Sequence, residues 1–548
     1  MMRKVLLGLF LLFSGVQVFG QNITTVDRPK LVVGVIVDQM RYDYLTRFYD
    51  RYGEDGFKRI LREGYNFENG HFNYVPTVTA VGHASVYTGT TGSGHGIIAN
   101  DWYDKYLKKM IYCVDDFEYE AVGTELPYEQ KSPVRLLSTT VTDELRLAQN
   151  MNGKTIAIGL KDRSAVLPGG HTSNGSYWFV GKDEGKFITS AFYMEELPKW
   201  VNDFNKKEFP KKYMKNDWET LYPIKSYKES IADDNPYEGV FVGEERPVFP
   251  HELKKLSEQN GNFDLIKETP YGNSILKEFA IAAIEGEELG QRGYTDFLAI
   301  SFSSPDYIGH RYGSDSKEIE DTYLRLDLEM AELLKYLDKE LGVDNYTLFL
   351  TADHAVVPVP AYLKSLKIPA GYFDYSVFRE YLKGLGEKYY GVPDLIENFS
   401  NFQVFLNREV LERLKLDASS VAEKLAQDII NYEGVHKVLT AKTLQTTDFQ
   451  SGILSYVQNG YNQKFSGDIV MVPNPGIIST YYEDSGTTHG SGYNYDTHVP
   501  IMFLGKGIKS GRSRDYVEII DIAPTVSNLL QIQFPNSNTG KVLQSALK

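Results

Sequence analysis

The chain has 548 residues, well beyond the length at which a hydrophobic core is hard to close, and at ~150 residues per domain it has room for about three or four units or for one large enzyme core with insertions. A composition of 42% hydrophobic, 24% charged and 13% aromatic residues excludes a disordered or fibrous protein. The net charge of −15 excludes nucleic-acid binding through a broad basic face, and the lone cysteine, Cys113, excludes an internal disulfide and a thiolate-rich metal site.

Residues 1–20 have the order of a cleavable secretory signal: Arg3 and Lys4, then an apolar run, then Gly20 before Gln21. That run is broken by Ser14 and Gln17 and is too short for a membrane span. The expectation is an exported chain with no stable membrane anchor, starting at Gln21 and suited to a bacterial periplasm.

Short runs rich in Val, Ile and Leu at 31–37, 155–160, 297–302 and 347–350 predict strands, and helical patterns at 44–63, 141–149, 274–288 and 317–341 follow them. This alternation predicts an α/β fold with a mostly parallel central sheet and helices on both faces. The stretches at about 166–273 and 358–467, rich in Tyr, Lys, Asn and Pro, break the rhythm and are expected as insertions over the active-site edge of a single catalytic domain spanning 21–548.

In open parallel sheets, ligands collect where strands end at their carboxyl side. The predicted strands run into Asp38, into Lys161-Asp162-Arg163, through Ser303-Ser304-Pro305 to Asp306, and into Asp353-His354. Asp306 and His310 are four apart, so one helical turn places both on one face. His489 lies in the glycine-bearing segment Gly486-Thr487-Thr488-His489-Gly490. Asp38, Asp306 and Asp353 with His310, His354 and His489 could supply three ligands to each of two metals, and imidazole with carboxylate suits Zn²⁺. Thr79, followed by small residues, reads either as a helix cap or as a nucleophile activated by a metal. Lys161 and Arg163, two apart at a strand end, would present two cations to one anion, and Asn100 could donate to a phosphoryl oxygen. His83, His95 and His498 read as structural or supporting histidines.

With those residues assembled, the chain resembles the alkaline phosphatase superfamily and, within it, the PafA-type alkaline phosphatases of bacteria. The resemblance rests on Val37-Asp38-Gln39-Met40-Arg41, Pro76-Thr77-Val78-Thr79, His95 to Asn100, Lys161-Asp162-Arg163, Asp306 to His310, Asp353-His354, Thr488-His489-Gly490 and Asp521 to Thr525. It implies a metal-dependent phosphate monoester hydrolase with two Zn²⁺, one held by Asp306, His310 and His489 and the other by Asp38, Asp353 and His354 beside Thr79. Thr79 would carry a phosphothreonine intermediate, with Asn100, Lys161 and Arg163 binding the phosphoryl group. The expected partners are small phosphate monoesters and inorganic phosphate, and the expected form is a monomer. The rival readings are a phosphodiesterase or nucleotide pyrophosphatase of the same superfamily, and an exported metal- or phosphate-binding protein without turnover.

Overall fold

The run Leu31–Val37 is buried at every residue, as an interior strand covered on both faces must be. In the computed structural model, which describes residues 27–483 and 485–548, this strand (β1) lies in an 11-stranded sheet. The signal segment expected at residues 1–20 lies outside the described residues.

The other principal strands of the sheet are β2 (Tyr65–His71), β3 (Thr155–Gly159), β4 (Gly175–Val180), β5 (Lys186–Ser190), β6 (Asp296–Phe302), β7 (Tyr346–Thr351) and β8 (His498–Gly505). Strands β7, β1, β6, β3 and β4 are parallel neighbours in that order. Antiparallel β8 and then β2 extend one side, and antiparallel β5 extends the other. This is the mixed α/β architecture expected, with a large, mostly parallel sheet.

Local residue choices explain the departures from the sequence reading. The helix expected over 44–63 is broken into Tyr44–Arg47, a 3₁₀ turn at Tyr49–Arg51, and Phe57–Glu63. The backbone amides of Gly53 and Phe57 each donate to the Asp327 carboxylate at 2.7 Å, so a tertiary partner replaces the helical one. Within 166–273, β4 pairs onto β3 and β5 onto β4, so both belong to the central sheet, where the sequence suggested only cover. Within 358–467, the strands Ile396–Ser400, Gln403–Leu406 and Val435–Thr440 join Ile469–Pro473 in a separate four-stranded sheet. That sheet has its own core, including Phe378, Leu382, Leu425 and Ile429.

The register fixes where the chemistry lies. Val37 of β1 is level with Phe302 of β6, Ile36 with Thr351 of β7, and Ser301 with Gly159 of β3. The residues that follow these strands therefore leave the sheet at one edge. Helix α1 (Thr79–Thr88) packs against that edge, and its Gly82 is the closest point. A methyl group on Gly82 would overlap the Asp353 carbonyl oxygen, which is backbone and has little room to move. Glycine inside a helix is ordinarily the weaker choice by ~1 kcal/mol; here the close approach reverses the sign. Gly82→Ala is expected to lower unfolding stability by about 1–3 kcal/mol in denaturant titration, and no loss would show that the helix can shift away.

Candidate active site

Asp38 follows β1 directly and is fully buried, its backbone N–H donating to the Phe302 carbonyl at 3.0 Å. Asp306 lies in the first turn of a helix over Ser304–Tyr312 (α2), and His310 one turn later brings its Nε2 to 3.1 Å from Asp306 Oδ1. His489 Nε2 approaches the same oxygen at 3.5 Å. On the β1 side, His354 Nε2 lies 3.4 Å from Asp38 Oδ1 and 3.7 Å from Asp353 Oδ2. Donor atoms of Asp306, His310 and His489 thus lie within 4.8 Å of one another, and so do those of Asp38, Asp306 and His354. Asp306 reaches both groups, whereas the sequence reading had placed it in one and Asp353 in the other.

The imidazoles are oriented from behind. His310 Nδ1 donates to the Thr487 carbonyl at 2.8 Å, His489 Nδ1 to Thr77 at 2.7 Å, and His354 Nδ1 to Ala355 at 3.1 Å. A carbonyl oxygen only accepts, so Nδ1 carries a proton in each ring. Burial holds the His354 and His489 imidazoles below their usual range, so these two turn an Nε2 lone pair toward carboxylate oxygens, whereas at His310 burial is outweighed by Asp306, which raises it. Lone pair facing carboxylate is repulsive without a cation between them. Asp38 Oδ1, Asp353 Oδ2 and His354 Nε2 are, moreover, buried with no hydrogen-bond partner. The donor set therefore fits divalent metal ions, and imidazole with carboxylate favours Zn²⁺ over the harder Ca²⁺ or Mg²⁺.

Electrostatics point the same way. Burial, with Asp306 and Asp353 close by, raises the Asp38 carboxyl well above the usual range. Burial raises Asp353 to about 6 despite Lys161. Burial pushes Asp306 upward too, but His310 and Lys161 outweigh it and hold that carboxyl well below its usual range. Three carboxylates at one place are sustained only by positive charge.

Lys161 supplies part of that charge. Its ammonium lies 2.6 Å from Asp38 Oδ2 and 2.6 Å from Asp306 Oδ2, and 3.5 Å from Thr79 Oγ1. Thr79 is the first residue of α1, and the cap position belongs to Val78, whose side chain makes no cap bond. The capping alternative for Thr79 is therefore excluded, and its hydroxyl is turned toward the Lys161 ammonium. Asn100 Oδ1 accepts from the Ala80 backbone N–H at 2.9 Å, which fixes the amide beside Thr79 and leaves Nδ2 as a donor.

Lys161 and Arg163 do not project together from a strand. Strand β3 ends at Gly159, and Arg163 belongs to a helix over Asp162–Gly169. The pleat that would align residues two apart has ended. Lys161 turns to the carboxylates, while Arg163 donates to the Tyr112 hydroxyl at 2.9 Å, and that hydroxyl donates to Asp162 at 2.6 Å.

The sequence reading missed Gln39. In a left-handed backbone conformation (φ 66°), it donates from its backbone N–H to Asp353 Oδ1 at 3.2 Å and from Nε2 to Asp306 Oδ1 at 2.7 Å. Its one available signal was its place directly after Asp38. His83 bears out its supporting role: Nδ1 lies 2.8 Å from the Thr79 carbonyl and 3.3 Å from Asp353 Oδ2. His95 bonds Ser85, and His498 bonds the Glu68 carbonyl and stacks on Tyr42 and His71.

Residues 32–494 match the model of the Type I phosphodiesterase / nucleotide pyrophosphatase family. The chain is 44% identical over 547 residues to alkaline phosphatase PafA of Elizabethkingia meningoseptica, covering 100% of this chain and 99% of that one. The wild-type PafA crystal structure superimposes with a TM-score of 0.91 at 44% identity, covering 95% of this chain and 99% of that one. The chain belongs to the PafA-type alkaline phosphatases. A Myroides odoratus protein named calcium-transporting ATPase is similar as well, 45% identical over 524 residues, 95% of each chain. As an alkaline phosphatase the protein is a phosphomonoester hydrolase, so the binding protein without turnover falls away.

In this alkaline phosphatase the neutral Gln39 side chain bonds Asp306 while its own backbone bonds Asp353. Gln39→Ala removes the amide that orients Asp306. The expected result is an apparent Zn²⁺ affinity lower by about 10–100-fold, read from metal titration of the stripped enzyme; an unchanged affinity would make Gln39 a packing residue only.

Proposed function

We propose that this phosphatase is an exported, zinc-dependent enzyme of broad specificity that hydrolyses phosphate monoesters through a phosphothreonine on Thr79. What carries the proposal is the set of Nε2 lone pairs and partnerless carboxylate oxygens converging beside the Thr79 hydroxyl. Asp306, His310 and His489 would hold one Zn²⁺, and Asp38, Asp353 and His354 the other. Bound there, the ions supply a lowered pKa for the Thr79 hydroxyl and neutralise charge on the departing oxygen.

Thr79 Oγ attacks phosphorus, the bond to the ester oxygen breaks, and the alcohol leaves; water then attacks the phosphothreonine and releases Thr79 and inorganic phosphate. The position of Thr79 at the start of α1, whose free N–H groups favour an anion, supports this role. Asn100 Nδ2, Lys161 and Arg163 would contact the non-bridging oxygens, where charge gathers in the transition state. A solved PafA variant, 43% identical, carries replacements of a threonine, an asparagine, a lysine and an arginine. These are the residue types gathered here as Thr79, Asn100, Lys161 and Arg163.

A monoester brings two negative charges and a diester one, so paired cations favour the monoester over the phosphodiester reading that the family model's description raises. Export follows the signal-like residues 1–20; among the described residues no helix is long and apolar enough to cross a membrane. A monomer acting on small soluble monoesters completes the reading.

Thr79→Ala is expected to lower kcat/KM for a monoester by roughly 10⁴-fold or more, and undiminished turnover would sink the covalent route. Stripping metal with a chelator should abolish hydrolysis, with Zn²⁺ alone restoring it; recovery with Mg²⁺ but not Zn²⁺ would refute the metal assignment. Lys161→Ala combined with Arg163→Ala should reduce the monoester rate at least about 100-fold more than the diester rate. Equal losses on both esters would show that these cations do not set the preference.

A further inference from the structure

A cavity of about 260 Å³ lies between the separate four-stranded sheet and the loop that leads into α1. Its wall is largely apolar, with Val78, Phe402, Met471 and Ile478, and also carries polar side chains such as Asn401 and Gln403; no lysine or arginine among the described residues lines it. One carboxylate, Asp496, is present; its Oδ2 accepts from the backbone N–H and hydroxyl of Ser491 at 2.8 and 2.6 Å, and its Oδ1 is buried without a partner. Such a wall rejects anions and rewards removal of apolar groups from water.

The cavity adjoins the candidate active site at His489. His489 lines it and also reaches Asp306, and Tyr482, another lining residue, brings its hydroxyl to 3.3 Å from His310 Nδ1. His310 and His489 are grouped with Asp306 but not with Asp38, so in an in-line displacement with Thr79 attacking from the Asp38 side the departing oxygen would face His310 and His489. The organic group attached to that oxygen has to extend past His489.

We infer that this cavity is the subsite for the leaving group and that, within a broad range of monoesters, it favours those whose alcohol carries an uncharged, bulky apolar group, alkyl or aryl. The inference rests on the proposed placement of the departing oxygen at His310 and His489. Hydrolysis itself is unchanged; the cavity adds binding to the part of the substrate that does not react. Because the wall comes from the four-stranded sheet, that unit acts in substrate choice as well as in cover.

The test is kcat/KM for ethyl, butyl and hexyl phosphate, whose leaving alcohols have nearly equal acidity, so that differences report contact with the chain and not chemistry. Hexyl phosphate is expected to exceed ethyl phosphate by about tenfold or more. Filling the cavity with Ile478→Trp, or independently with Val472→Phe, should bring that ratio close to one while ethyl phosphate turnover stays as in the wild type. A flat series in the wild-type enzyme with measurable ethyl phosphate turnover would overturn the subsite and leave the phosphatase mechanism standing. Equal losses on ethyl and hexyl phosphate in both filled variants would also overturn it, showing a structural cavity. A retained tenfold preference together with undiminished hydrolysis in Thr79→Ala would support the subsite while refuting the covalent route.

Discussion

Three carboxylates, Asp38, Asp306 and Asp353, are buried together at the edge of the central sheet, and the rest of the site answers to that constraint. Ionised carboxylates taken out of water carry a penalty of several kcal/mol each unless cations meet them. Lys161 bridges two of them, and Gln39 donates to Asp306 and Asp353. The imidazoles bring lone pairs, which add to the negative potential and increase the need for positive charge. Replacing these acids by apolar residues would relieve the fold, so their presence is explained by function and not by stability.

The fold meets this constraint through register. Parallel strands β7, β1, β6 and β3 end level with one another, so Asp353, Asp38, Asp306 and Lys161, separated by up to 315 positions across Asp38 and Asp353, need little more than a strand end or a first helical turn to meet. The loop bearing His489 is tied to the same place by backbone bonds: Thr487 N–H donates to the His310 carbonyl at 3.0 Å. A rigid sheet edge thereby holds one side of the site and a tethered loop closes the other.

How much of this could be read from the residues follows from the kind of signal each carries. Strands buried on both faces appear as unbroken apolar runs, so β1, β3, β6 and β7 were legible to within a residue or so at their ends. The Asp306–His310 pair was legible because helical spacing is local. Strand β4 was not: Gly-Ser-Tyr-Trp-Phe-Val has aromatic bulk but no distinguishing alternation, and its place beside β3 is a tertiary fact. Gln39 was silent because its role depends on a left-handed backbone that glutamine does not advertise. The Lys161–Arg163 geometry was misread because it hinged on where β3 stops, and element boundaries depend on contacts from outside the segment.

Charge balance links the buried acids to the choice of ester. Counting Asp38, Asp306 and Asp353 against the Lys161 ammonium leaves the inner site with two negative charges, since the histidines ligate as neutral rings. Two divalent ions, as proposed, reverse that to two positive charges. A phosphate monoester dianion cancels it, whereas a diester monoanion leaves one positive charge in a region of low dielectric, where unmatched charge is least tolerated. The preference for monoesters would then be set first by the number of buried carboxylates relative to metals and lysine, with Arg163 and Asn100 shaping the contact. On this view an acidic chain with a net charge of −15 concentrates positive potential at one edge of its sheet and repels polyanions everywhere else.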